Sequence, residues 1–228
     1  MLFRSCRFSL DYKNYRYEAA TMLAVITYMG FGTPFIYMGQ EVGLTNCDFR
    51  SIDEMKDPVS HFVYDLMRGY GIPKSLAFRF IKYGARDHAR TPMQWNDTVN
   101  GGFNEGHETW QGVNGEYKKI NVEKDLASDR SIYRFYQELI RIKKTNETAV
   151  YGKTEEYDHD NRKVVAFSRT YQGKRLFVAG NFSKKKVIYR LPEWVEETEV
   201  LLNNYKSLNV SEGKITLEPY QAVVWEKA

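Results

Sequence analysis

The sequence predicts an α/β segment followed by a small all-β domain, with the boundary near Asn146. Three observations carry that prediction. Residues 15–38 read as a helix, a tight glycine turn and a buried strand. Residues 84–121 form a long aperiodic stretch rich in Gly, Asn and aromatics. After Asn146, short β-type runs recur between turn signals, the texture of an antiparallel β-sandwich of about eighty residues.

Each element has its own signal. Ala19, Met22, Leu23 and Ile26 fall at helical spacing, and Gly30 and Gly32 then stop the helix. Pro34 to Met38 is a short apolar run between turn formers, which reads as a strand of the kind buried in parallel sheets. Ser51 to Lys82 is helical but divided at Gly69-Tyr70-Gly71-Ile72-Pro73, with Asp53 and Glu54 as first-turn charges. Asp129 is expected to cap a helix running to Lys144, whose apolar face holds Ile132, Phe135, Tyr136, Leu139, Ile140 and Ile142. The expected strands centre on Val164–Phe167, Leu176–Ala179, Val187–Tyr189, Val200–Leu202 and Ala222–Trp225. Tyr171-Gln172-Gly173-Lys174 and Ser211-Glu212-Gly213-Lys214 are turns between them.

Bulk properties exclude several classes. Of 228 residues, 43% are hydrophobic and 27% charged, which is globular rather than disordered. Net charge is +4 from 33 basic and 29 acidic residues, a mixed surface and not a nucleic-acid footprint. Lys184-Lys185-Lys186 reads as a solvated turn. Cys6 and Cys47 supply neither a disulfide framework nor metal-ligand spacing, which suits a reducing cytoplasm. The apolar stretch Met22 to Met29 is too short to span a bilayer. Aromatics reach 15%, enough to fill a core and also to stack on the apolar faces of sugars. Asn-x-Ser/Thr triplets at Asn96, Asn146, Asn181 and Asn209 occur at chance frequency. No cofactor motif, phosphate loop or Ser-His-Asp arrangement is visible.

One segment is specific. Arg86-Asp87-His88-Ala89-Arg90-Thr91-Pro92-Met93-Gln94-Trp95, with Gly32 to Gly43, Ser51-Ile52-Asp53-Glu54 and Gly101-Gly102-Phe103, resembles the α-amylase superfamily, glycoside hydrolase family 13, in its oligo-1,6-glucosidase and α-glucosidase branch. Asn181-Phe182-Ser183 and Leu217 to Ala222 resemble that branch's C-terminal β-domain. The resemblance implies a retaining α-glucosidase on a (β/α)8 TIM barrel, in which one carboxylate attacks the anomeric carbon and a second protonates the leaving oxygen. Residues 1–146 would be the incomplete end of that barrel, its last helix-strand units, and 147–228 the β-sandwich.

The chain lacks the family's Asn-His-Asp motif, and Cys6-Arg7-Phe8 aligns just downstream of it. All three family carboxylates are therefore expected upstream of residue 1, with no catalytic residue and no metal ligand in this chain. It is expected to be the C-terminal fragment of a longer enzyme, inactive alone and prone to aggregate. Leu2-Phe3-Arg4-Ser5 corresponds to CTC-TTC-CGA-TCT, a common sequencing-adapter end, so the reading frame is expected to begin in an assembly artefact. An in-frame stop shortly before Met1 in source DNA would refute that origin.

Arg86 and Arg90 are the candidate substrate-binding residues. A guanidinium is always charged and presents a rigid fork of donors to a carboxylate and to sugar hydroxyls. The sequence does not choose between them, and either is equally accounted for by an ion pair with Asp87 or with an aspartate of another loop. His88 reads as a satisfied loop histidine, Met93 and Trp95 as core beneath the loop, and Glu41 as a hydrogen-bonded structural carboxylate. Neighbouring acids such as Asp53 with Glu54, or Glu155 with Glu156, diverge and cannot flank one bond. The partner implied is an oligosaccharide, with no nucleic acid and no membrane, on a monomer. Trehalose-6-phosphate hydrolase, sucrose isomerase and dextran glucosidase share the motif block. Non-catalytic heavy chains of amino-acid transporters share the fold.

Overall fold

The computed structural model describes Asp11 and residues 13–227. Cys6 and the segments Leu2–Ser5 and Cys6–Phe8 lie outside the described residues. Two compact units emerge among the described residues, one built on residues 37–129 and the other on residues 13–36 with 130–227.

The second unit has three layers. Helix α1 (Arg16–Met29) and helix α5 (Ile132–Thr145) cover one face of a five-stranded antiparallel sheet. Its strands are β1 (Lys153–Tyr157), β2 (Val164–Tyr171), β3 (Lys174–Asn181), β8 (Ala222–Lys227) and β5 (Glu199–Asn203), in that order. A three-stranded antiparallel sheet, β4 (Val187–Arg190), β7 (Lys214–Leu217) and β6 (Asn209–Ser211), covers the other face. Side chains alternate accordingly: Leu176, Val178, Ala222 and Val224 face the helices, whereas Phe177, Ala179, Val223 and Trp225 face the second sheet. With both faces buried, these strands read as unbroken apolar runs. Close seating of α1 depends on Gly180, where a Cβ would come within 2.8 Å of the Ile26 side chain. The expected turns are present: Gln172 and Gly173 (φ 48° and 83°), and Glu212 and Gly213, hold the left-handed pair that two-residue hairpins need.

Two buried cations tie this unit together. The Arg169 guanidinium donates to Met29 O (2.8 Å), Gly152 O (2.7 and 2.9 Å) and Val150 O (3.4 Å). Lys143 Nζ donates to Gly30 O (2.9 Å) and Ala149 O (2.6 Å). Both therefore gather carbonyls at the C-terminal ends of α1 and of the short helix α6 (Glu147–Tyr151), where helix dipoles favour positive charge. Burial, then the charge of Arg169, pulls the Lys143 ammonium down to about 8. The unfolded ammonium keeps its proton to about 10.5, so above pH 8 the unfolded state binds more protons and stability rises with pH. We expect the urea midpoint of the native protein to gain on that of Lys143→Met between pH 8 and 10.5, and to run parallel to it below.

The first unit is smaller and less regular. Helices α2 (Pro58–Gly69) and α3 (Lys74–Gly84) flank the break at Gly71, which has φ 81°. Cys47, Phe49, Met55, Ile81 and Ala85 form its core with Val63, Tyr64, Met67 and Phe78. The Cys47 thiol is pushed up to about 11, mainly by burial and then by Glu54 and Asp48, and is correspondingly inert.

Two expectations need correction. Pro34 to Met38 is not a strand: the segment runs into a turn, and Phe35 is 85% exposed. A strand needs a neighbour for its N–H and C=O groups, and every strand pairing among the described residues is antiparallel and within the two sheets. Ser131, not Asp129, caps α5, its side chain accepting from Arg134 N. A hydroxyl two residues later meets the first free amides of the helix in better register.

Candidate functional site

The aperiodic stretch is ordered by side-chain-to-backbone bonds instead of by regular structure. Asn114 Nδ2 donates to Thr45 O (3.0 Å), Gln111 Nε2 to Glu54 O (2.9 Å) and Asn121 Nδ2 to Tyr117 O (2.8 Å). Trp95 N and Asn96 N both donate to Gly101 O, reached through left-handed Asn100, Gly101 and Gly102. Helix α4 (Val122–Leu126) joins the same framework through Val122 N to Gln94 O, at 3.0 Å.

At its start, residues 86–89 make one 3-10 turn, and two carboxylates converge beneath it. Asp87 is fully buried. Its Oδ2 accepts from Lys56 N (2.6 Å) and Asp57 N (2.9 Å), and its Oδ1 from Arg90 Nη1 (3.0 Å). Asp57 is the N-cap of α2: its Oδ2 accepts from Ser60 N (3.3 Å) and Ser60 Oγ (3.2 Å), as an Asp before an N-terminal Pro is suited to do. The other oxygen of Asp57 accepts from Arg90 Nη1 at 3.3 Å, and Arg86 Nε lies 3.7 Å from Oδ2. Two carboxylates and two guanidiniums thus balance in one cluster.

The cluster separates the two candidate arginines. Arg90 bridges both aspartates with its side chain 34% exposed, and the Asp87 hydrogen bond, with a further one from Asp57, raises its pKa still higher. Arg86 makes a looser ion pair, Nε to Asp57, and its side chain is 56% exposed. Although Asp57 and Asp87 share an arginine nitrogen, neither suits glycosidic chemistry. Each is buried and its lone pairs are committed to donors, whereas a reacting carboxylate needs a free face toward the sugar. Among the described residues no group of three or more His, Cys, Asp or Glu could hold a metal ion.

The neighbouring residues divide. His88 packs on Phe49 with ring centroids 5.1 Å apart, and its Nε2 donates to Lys82 O at 2.5 Å. A carbonyl only accepts, so that nitrogen carries the proton. Met93 is core, but Trp95 is not: its backbone is anchored by Gly101 while the residue is 50% exposed. Glu41 is partly buried in the turn after Tyr37. Asp57 had escaped notice in the sequence, although the Asp-Pro step before an amphipathic run was the available signal.

Residues 4–152 match the family "Alpha amylase, catalytic domain", and residues 164–224 match "Alpha-amylase SusG C-terminal domain". The chain belongs to the α-amylase family. Among relatives, the oligo-1,6-glucosidase of Bacillus cereus is 42% identical over 217 residues, covering 93% of this chain and 38% of that protein. Trehalose-6-phosphate hydrolase of Escherichia coli is 31% identical over 215 residues, covering 94% of this chain and 39% of that protein. A crystal structure of Bacillus licheniformis trehalose-6-phosphate hydrolase superposes with TM-score 0.88 at 33% identity, covering 95% of this chain and 40% of that one. This α-amylase family chain therefore spans less than half the length of the curated relatives it matches. No helix among its described residues is long and apolar enough to cross a membrane.

Proposed function

We propose that the chain is the C-terminal part of a retaining α-glucosidase of the oligo-1,6-glucosidase kind, which hydrolyses terminal α-glucosidic bonds of short oligosaccharides. In this reading residues 1–146 complete a (β/α)8 barrel, residues 147–228 are the β-sandwich, and the enzyme is a cytoplasmic monomer. The two family matches, which end at 152 and resume at 164, support that division. The observation that carries the reading is Arg86, a largely exposed arginine on a loop locked down by buried Asp57 and Asp87. Arg86 grips sugar hydroxyls, and Arg90 holds the loop that presents it. The carboxylates that attack the anomeric carbon and protonate the leaving oxygen come from the rest of the enzyme.

The test uses the full-length protein that carries this segment. It is expected to cleave isomaltose with retention at the anomeric carbon. Arg86→Lys keeps the charge but loses the planar fork, so kcat/KM should fall about a hundredfold. A variant as active as the parent would remove Arg86 from the sugar site. Cleavage of trehalose 6-phosphate in place of isomaltose would favour the second reading, trehalose-6-phosphate hydrolase, for which the Escherichia coli and Bacillus licheniformis proteins are the support.

A further inference from the structure

We propose that Asp57 is a positioning residue for sugar binding: from the cap of α2, its carboxylate aims the Arg86 guanidinium. The inference rests on the glucosidase reading above and adds to it a residue that contacts no sugar.

The geometry shows a reciprocal lock between two segments thirty residues apart in sequence. Asp87, on the arginine loop, accepts from the backbone amides of Lys56 and Asp57 and so fixes where α2 begins. Asp57, fixed there, returns its own carboxylate to the arginine loop, one oxygen to Arg90 Nη1 and the other toward Arg86 Nε. Asp57 cannot swing away to follow Arg86, because Ser60 N and Ser60 Oγ hold the same Oδ2. Its side chain is 5% exposed, so water screens the pairing little on that side. The charge that faces Arg86 is thus fixed in place, while the Arg86 side chain is 56% exposed. A side chain drawn in at Nε by a fixed charge leaves its two terminal nitrogens to other partners, which is the form in which a guanidinium can fork two hydroxyls.

This arrangement also separates the role of Asp57 from simple helix capping. Asparagine and serine cap as well as aspartate does, but neither carries charge. Asp57→Asn and Asp57→Ser should therefore keep α2 and its core while releasing Arg86.

The experiment is a double-mutant cycle in the full-length protein that carries this segment, read as kcat and KM for isomaltose alongside urea midpoints. Asp57→Asn alone is expected to lower kcat/KM about tenfold, chiefly through KM, as a misplaced binding group does. In an Arg86→Met background, which removes the charge that Asp57 faces, the same change is expected to have no further effect, and Asp57→Ser should behave likewise. An equal loss in both backgrounds would mean Asp57 acts through the fold and would overturn the proposal. So would an unchanged kcat/KM in Asp57→Asn while Arg86→Lys is impaired, an outcome that leaves the glucosidase reading intact. If Arg86→Lys is itself unimpaired, the sugar-binding role of Arg86 and its positioning by Asp57 fall together.

Discussion

Arg169→Met is expected to lower the unfolding free energy by about 3–5 kcal/mol, because three buried carbonyls lose the cation that donates to them. The methionine fills much of the same volume, so the loss is polar and not a cavity. Met29 O, Val150 O and Gly152 O would lose their donor inside the unit, and each buried acceptor left unmade costs about 1–3 kcal/mol. Some relief comes from Lys143, whose burial is made harder by Arg169 and whose pKa should move back up in the variant. Arg169→Lys should fall between the two, because a lysine offers a single nitrogen where the guanidinium donates through Nε, Nη1 and Nη2. Urea midpoints of the three proteins decide it. A methionine variant within about 1 kcal/mol of the native protein would mean that water satisfies those carbonyls instead.

The second large effect is at Asp87. Asp87→Asn is nearly isosteric, yet we expect it to cost about 3–5 kcal/mol, as breaking a buried ion pair does. The carboxylate has donors on both sides: two backbone amides at Oδ2 and the Arg90 guanidinium at Oδ1. Asparagine offers one oxygen and one NH2 group, so whichever way the amide turns, a donor faces a donor. Turned toward Lys56 and Asp57, the NH2 unpins the start of α2. Turned toward Arg90, it leaves that guanidinium on Asp57 alone. The first route displaces Asp57, the partner of Arg86, so in the full-length protein activity should drop along with the midpoint. A stable but inactive variant would show that the cluster acts only on substrate, and a stable, active one would show that the lock is dispensable.

Much of this was legible in the sequence where the signal is local. Helix α1 follows from Ala19, Met22, Leu23 and Ile26 at helical spacing and ends at Gly30 as expected. The hairpins at Gln172-Gly173 and Glu212-Gly213 follow from residues that tolerate positive φ. Edge strand β1 was missed because Lys-Thr-Glu-Glu-Tyr has no buried side chain and so no alternation to read. Arg169 was missed because its partners Met29 and Gly152 are distant along the chain, and an arginine in a strand ordinarily reads as solvent-facing. At the site, the Arg86 to Trp95 block announced itself by residue identity. Choosing between the arginines needed Asp57, which meets them only because the chain returns after two helices.

That return has a bearing on engineering. The excursion from Pro58 to Gly84 leaves and rejoins the arginine loop at a pinned base, where the Asp87 carboxylate grips both ends of the detour. A detour clamped at its root is insulated from what happens at its tip. Phe62, Phe80 and Tyr83 on those helices, and Tyr70 in the turn between them, are well exposed and could be exchanged for polar residues, or the tip at Tyr70-Gly71 opened to accept a fused reporter domain, without shifting the guanidinium below.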